Sequence, residues 1–370
     1  MTKIDERTAA PSRSRRSRTG ALAAAIVAIA GWTAPAMAAG DFGGPTEPAK
    51  APKGVKLAII SCSATLKGCQ VPAEAAVEAA KALGWEATIF DGKANPKTQA
   101  SAMLDALAWG ATFILASSID YRSIQLPLNQ AKKAGVPVAS MGQGGDTPNA
   151  LPVLEPDQLA WAFAIDPDNY ALGKSIGEWI IKDSDGHANA VAYNDKEFDG
   201  VVTQHSGIMD VLSKCPGCKV AEQSFSANQI ATNLGQQVVG YLRAHPDVNY
   251  VYMPYDPSAF AVAAALRQAG LGQRVKLASL LGDEENLDLI RKGDVQVADV
   301  AFDMAYEGYA AVDQIIRYLN KQKLFEPHGE NVPMEVLDKT NLPEKGNWTA
   351  SNGYKKIYRS VEVRLLILAG

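Results

Sequence analysis

The sequence predicts an α/β fold, two doubly wound parallel-sheet lobes, and three observations point there. Its apolar segments, such as residues 55–60 and 111–116, are near-continuous, which suits strands covered on both faces. Between them lie amphipathic segments opened by Asn, Asp or Pro and closed by Gly, the punctuation of helices. About ten strands in 370 residues fit two lobes better than one very wide sheet.

Taken in order, residues 55–60 form the first strand. Pro72 marks a helix start, with the helix over 73–83 and Gly84 closing it. After a strand at 86–90, Asn95 caps a helix with Pro96 at its first position and Met103, Leu104, Leu107 and Ala108 on its buried stripe. Gly110 ends that helix and a strand follows at 111–116. Asp120 opens a helix running to Gly135, which Pro127 must kink or end early. A strand at 136–140 completes the first half. Asp166-Pro167 then opens a helix carrying Ile176, Trp179, Ile180 and Ile181. Strands at 188–193, 219–222, 250–253, 275–280 and 296–301 alternate with helices at 200–212, 230–242, 258–269 and 306–319. Residues 327–348 show little periodicity, and the apolar tail at 361–368 suits packing on a sheet edge.

Composition narrows the class. With 47% hydrophobic and 21% charged residues, the chain is neither disordered, collagen-like nor a polytopic membrane protein. Residues 1–38 carry six Lys/Arg and two acids; the remainder has 30 basic and 38 acidic residues, a net −8. A body of that sign is a poor partner for phosphates, so no nucleic-acid partner is expected. Residues 1–38 have the plan of a secretory signal peptide: a basic block from Arg13 to Arg18, a ten-residue apolar run at 21–30 and an Ala36-Met37-Ala38 cleavage site. The run is about half the ~20 residues a membrane span needs. No Cys stands at the cleavage site for a lipid anchor. Residues 39–54, rich in Pro and Gly, read as a flexible leader.

Export permits disulfides. The four cysteines form two local pairs, Cys62/Cys69 and Cys215/Cys218, and local pairing is the expected one of three possibilities. The C-x-x-C at 215–218 follows a helical pattern rather than opening one, the wrong end for an activated thiolate. It therefore reads as a staple, with a thiol-redox centre as the rival. No His neighbours it, so zinc is not expected.

Several segments, in order, resemble the ribose-type (type I) periplasmic binding proteins, the exported receptors of ABC importers. They are Ala131-Lys132-Lys133-Ala134-Gly135-Val136-Pro137-Val138, Asp166-Pro167-Asp168-Asn169-Tyr170-Ala171-Leu172-Gly173, Ala244-His245-Pro246-Asp247, Asp256-Pro257-Ser258-Ala259 and Ile290-Arg291-Lys292-Gly293. The resemblance spans about residues 55–323. It implies two lobes joined by a three-crossover hinge, residues 55–164 with 303–328 and residues 165–302 with 329–360, and a small molecule trapped between them. It also implies a periplasmic location, an ABC permease as docking partner, a monomer, no cofactor, no metal and no catalytic residue.

The family's sugar-gripping positions mostly do not match. An expected Asp-Arg pair falls on Gly142-Gln143, an expected Arg on Gln204, an Asn on Tyr255, an Asp on Leu281, a Gln on Phe302 and an Asn/Ser on Ser117. Buried sugar hydroxyls left unpaired cost about 1–3 kcal/mol each. The coordinated loss implies a ligand less polyhydroxylated than a pentose or hexose, aromatic or otherwise partly apolar. Ser61, Ser63 and Phe198 are further candidates beside the expected cleft, and Cys62–Cys69 would stiffen one wall. Asp256 either touches ligand or braces the adjoining helix start. The competing reading is a sugar receptor gripped by other groups, among them Tyr193, Asn194, Asp195, Phe198, Asp199 and His205, with Trp161 a further cleft candidate.

No H-E-x-x-H, G-x-S-x-G, P-loop or dinucleotide fingerprint appears, and the histidines are scattered. An enzyme is therefore not expected. A receptor feeding a sensor kinase or chemoreceptor would carry the same fold and cleft, so it stays open beside the importer receptor.

Overall fold

The computed structural model describes residues 42–47, 49–143, 161–325 and 329–363, with side chains to residue 360. The predicted signal peptide and the part of the apolar tail beyond Val363 fall outside that description.

The first sheet contains β1 (Lys56–Ser61), β2 (Glu86–Asp91), β3 (Phe113–Ser117), β4 (Val138–Met141) and β5 (Ala164–Ile165), all parallel, in the order β2-β1-β3-β4-β5. Its helices are α1 (Lys67–Ala82), α2 (Pro96–Ala108) and α3 (Gln125–Ala134). The second half opens with α4 (Asn169–Asp183), β6 (Asn189–Asp195), α5 (Asp199–Ser213), β7 (Lys219–Phe225) and α6 (Leu234–Ala244). It continues with β8 (Tyr250–Tyr252), α7 (Asp256–Gln268), β9 (Lys276–Leu281), α8 (Glu284–Arg291) and β10 (Gln296–Phe302). After α9 (Met304–Leu319) come β11 (Met334–Asp338) and α10 (Tyr354–Val363). The second sheet runs β11-β10-β9-β8-β6-β7. The chain leaves the first sheet after β5, returns after β10 as α9, which packs on α1, and leaves again to supply β11. These are the three crossovers of the hinge.

The apolar runs are continuous because both faces are covered. On β1, Leu57 and Ile59 enter one core while Ala58 and Ile60 enter another. On β3, Phe113 and Leu115 divide from Ile114 and Ala116 in the same way. Two helix pairs approach so closely that only glycine fits. A Cβ on Gly173 of α4 would lie 1.8 Å from Gln204 O on α5, and one on Gly308 of α9 would lie 2.3 Å from Pro72 O on α1.

The structure corrects several expectations. Helix α1 begins at Lys67, and Pro72 is inside it. Proline has no N–H for the carbonyl four residues back. That carbonyl, Gly68 O, accepts instead from Ser118 Oγ at 3.2 Å, and Cys69 O accepts from Ser117 Oγ at 2.8 Å. The helix expected from Asp120 is a 3-10 turn at Tyr121–Ile124 followed by α3, with Pro127 in its first turn where its missing N–H costs little. Helix α4 is capped by Asp168, which accepts from Ala171 N at 2.9 Å, rather than by Asp166. Helix α6 starts at Leu234, after a 3-10 turn at Ala227–Gln229. The second sheet is not wholly parallel, since β11 pairs antiparallel with β10. Strands β5 and β11 and helices α8 and α10 were not anticipated; β5 has two residues and carries no periodicity.

The described part of the leader, from Phe42, is packed against the body. Phe42 stacks edge-on against Tyr358, Ala49 is buried, and the carbonyls of Lys50 and Pro52 accept from Asn320 Nδ2 and Trp85 Nε1. It straps α9 to α10 and to the first sheet.

Candidate ligand-binding cleft

A cavity of about 90 Å³ opens at the carboxyl ends of both sheets, the place where open α/β sheets take ligands. The first lobe supplies the stretch Leu66–Cys69 together with Ser118, Gly142 and Gln143. The second supplies Asn169, Phe198, Gln204, Tyr255, Leu281 and Phe302 among others, and α9 supplies Glu307. Of the predicted site residues, Gly142, Gln143, Phe198, Gln204, Tyr255, Leu281 and Phe302 come together on this lining.

The other four do not line it. Ser61 is fully buried at the end of β1. Ser63 bonds to Thr65 at 2.9 Å, and Ser117 is consumed by the Cys69 carbonyl. Asp256 is the brace rather than the ligand contact. It is fully buried, and its Oδ2 accepts from Asp283 N at 2.7 Å. Ser279 Oγ touches Asp256 Oδ1 and also Asp299 Oδ2, the latter at 2.8 Å, and accepts from Gln296 Nε2 at 2.7 Å. One hydroxyl proton cannot serve two carboxylates, so one carboxyl of this pair carries a proton. Burial pushes both Asp256 and Asp299 above the usual carboxylate range, and the Asp299 charge pushes Asp256 further, so the pair shares a proton. Asp299 Oδ1 accepts from Gly282 N at 3.0 Å. Together the pair pins a turn in which Leu281 takes φ 136° and Gly282 φ 81°. Leu281 thereby reaches the cavity from a backbone conformation that a side-chain-bearing residue rarely adopts.

Tyr255 is fixed from two sides. Its hydroxyl donates to Asp195 Oδ2 at 2.6 Å, and its ring meets Phe198 edge-to-face with centroids 6.2 Å apart. Burial pushes Asp195 up to about 6, although Tyr255 holds it lower than burial alone would. Elsewhere on the lining, Gln143 Oε1 accepts from Asp199 N at 3.2 Å, and Gln204 Nε2 donates to Asn169 Oδ1 at 2.8 Å. Among the described residues that leaves Gln143 Nε2, Gln204 Oε1 and both oxygens of Glu307 without hydrogen-bond partners. All three residues are buried.

The disulfides are Cys62–Cys69 and Cys215–Cys218. The first closes the loop that carries Leu66, Lys67 and Gly68 to the cavity. The second follows α5, away from the lining, and neither cysteine is at a helix start. Trp161 packs on the core of the first sheet, Tyr193 against Phe225, and His205 beside Glu222; none lines the cavity. Among the described residues no group of three or more metal-binding side chains occurs, and no helix is long and apolar enough to cross a membrane.

Sequence reasoning missed Glu307, Asn169 and the bridging role of Lys67. An acid beside a glycine in the first turn of a helix that is otherwise apolar on its inner face was the available signal for Glu307. Asn169 stood within a quoted motif but was not chosen as a contact.

Comparison with known proteins places the chain. It is 24% identical over 289 residues to the D-apiose import binding protein of Paraburkholderia graminis, covering 77% of this chain and 88% of that protein. A solute-binding protein of an ABC transporter from Agrobacterium vitis, solved with bound allitol, superposes with a TM-score of 0.68 at 20% identity, over 78% of this chain and 97% of that one. Another from the same organism, solved with α-D-tagatopyranose, gives 0.69 at 19% identity over 79% and 97%. At these identities the structures speak to the fold. The family model for the periplasmic binding protein domain matches residues 59–323, well over half of the sequence, and the chain belongs to that family of solute-binding proteins, which are receptors rather than enzymes.

Proposed function

We propose that this protein is an exported receptor that closes on a small molecule and delivers it to an ABC importer. The ligand is less polar than a pentose or hexose and offers an apolar or aromatic face. The observation that carries this reading is the lining itself, where Phe198, Tyr255, Leu281 and Phe302 converge and few polar atoms remain unpaired. A polyhydroxylated ring buried there would leave several hydroxyls without partners, at about 1–3 kcal/mol each. Export rests on the basic-apolar-small pattern of residues 1–38. Closure follows from ligand contacts made by both lobes at once, which favour the closed state.

A second reading, a sugar or polyol receptor with an altered pocket, is favoured by the names of the relatives, one of which imports D-apiose. Thermal-shift measurements over pentoses, hexoses, polyols and aromatic solutes separate the two. Stabilisation by aromatic solutes and not by sugars is expected; stabilisation by sugars or polyols alone would favour the second reading. Mass spectrometry of a ligand carried through purification identifies it directly.

A further inference from the structure

Glu307 sits in the first turn of α9 and lines the cavity, yet it is 1% exposed and neither carboxyl oxygen has a hydrogen-bond partner among the described residues. An ionised carboxylate does not stand alone in such a place; it is kept neutral or it meets a cation. Beside Glu307, Gly308 packs so closely on Pro72 that α9 lies directly against α1. Burial first, and then the charges of Asp166 ahead of α4 and Asp303 ahead of α9, push the Glu307 carboxyl well above the usual carboxylate range in this arrangement. From α1, the charged side chain on the lining is Lys67, and it is tied to Glu285 and Asp283. Among the described residues no Arg or His lines the cavity. An anionic ligand would meet acids there and find no free cation.

The rest of the lining suits the opposite charge. Phe198, Tyr255 and Phe302 offer aromatic faces, which attract an ammonium group. Gln143 Nε2 and Gln204 Oε1 offer one donor and one acceptor for a further polar group. The start of α9 supports the ionised form of Glu307 once a cation has arrived. We propose that Glu307 is the anchoring carboxyl of the ligand site and that the ligand is a cationic amine on an apolar or aromatic body. This rests on reading the cleft as the ligand site. On binding, the ammonium keeps its protons, Glu307 gives up its own to solvent, and an N–H of the ammonium donates to the carboxylate. One proton is released per amine bound, so affinity rises with pH wherever Glu307 is protonated in the empty cleft.

Titration calorimetry of the mature protein tests this with a matched probe set: 2-phenylethylamine, 2-phenylethanol, phenylacetate and allitol. Repeating it in two buffers of different ionisation heat counts the protons. The amine is expected to bind at least about tenfold tighter than the alcohol, with about one proton released. Glu307→Gln is nearly isosteric with the protonated acid. It is expected to keep the melting temperature, to lower amine affinity about a hundredfold and to abolish the proton release. No binding of the amine, alcohol or phenylacetate binding as tightly, or amine binding unchanged in Glu307→Gln each overturns the proposal. Allitol binding that is lost in Gln143→Ala overturns the amine while leaving the cleft as the ligand site. Probe binding indifferent to both Phe198→Ala and Glu307→Gln overturns both readings.

Discussion

Lys67 Nζ lies 2.5 Å from Glu285 Oε2, joining the start of α1 in the first lobe to the start of α8 in the second. At the other side of the cleft, Arg122 reaches Asp199 Oδ1 at 2.8 Å. Both bridges join the first lobe to the second. Lys67 is 35% and Arg122 44% exposed, so each bridge contributes about 0.2–1 kcal/mol. Arg122→Ala is expected to shift the protein toward the open form and weaken ligand binding by up to about fivefold, less at high salt. Small-angle scattering and titration at two ionic strengths check this; an unchanged radius of gyration in the ligand-free variant counts against it.

Tyr255→Phe keeps the ring in the cleft wall and removes the donor to Asp195. Asp195 then retains the Glu197 N–H at 3.1 Å but loses its shortest bond. A loss of about 1–3 kcal/mol is expected at pH 8. It shrinks at pH 5, where Asp195, pushed up to about 6, carries a proton. Urea unfolding at the two pH values measures the difference, and equal losses at both would refute the assignment.

Mild acid should stabilise this protein. Burial pushes Asp195, Asp199 and Asp283 each up to about 6 from an ordinary 3.8. A carboxyl raised in the fold binds more protons folded than unfolded. Its contribution is fully present below about 4 and is lost as pH rises through about 6. His205, held neutral by burial, works the other way below its ordinary 6.5. Three carboxyls against one imidazole predict a higher melting temperature at pH 5 than at pH 7.5. Glu285 and Asp294, lowered by Lys67 and by partners that include Arg267, bring the fall at stronger acid. A melting temperature that falls steadily from pH 8 to pH 5 contradicts this.

The two disulfides should separate stability from binding. Closing loops this short contributes about 2 kcal/mol each in the chain-entropy model. Replacing Cys62 and Cys69 by Ser should lower stability by that amount and also weaken ligand binding, because Leu66–Cys69 is cavity wall. Replacing Cys215 and Cys218 should lower stability and leave affinity unchanged. Equal effects on affinity from both pairs would remove the wall argument.

The sequence by itself determined the alternation of strands and helices, because apolar runs and caps are local. Asn95, Pro96 and Gly110 delimit one helix at the residues the pattern names. The resemblance also named Gly142, Gln143, Phe198, Tyr255 and Leu281, on the turns and strand ends that line the cavity, but not Lys67, Asn169 or Glu307. The tertiary structure decided what no local pattern encodes. Pro72 reads as a helix start until Ser117 and Ser118, some 46 residues on, supply the hydrogen bonds that let the helix begin at Lys67. Asp256 reads equally as ligand contact or brace until Asp299 is brought beside it by the pairing of β9 with β10. Glu307 reads as an ordinary acid in a first helical turn until α9 packs on α1 and the second lobe closes over it. Local structure follows from neighbours along the chain, while burial, pairing and charge state follow from neighbours in space.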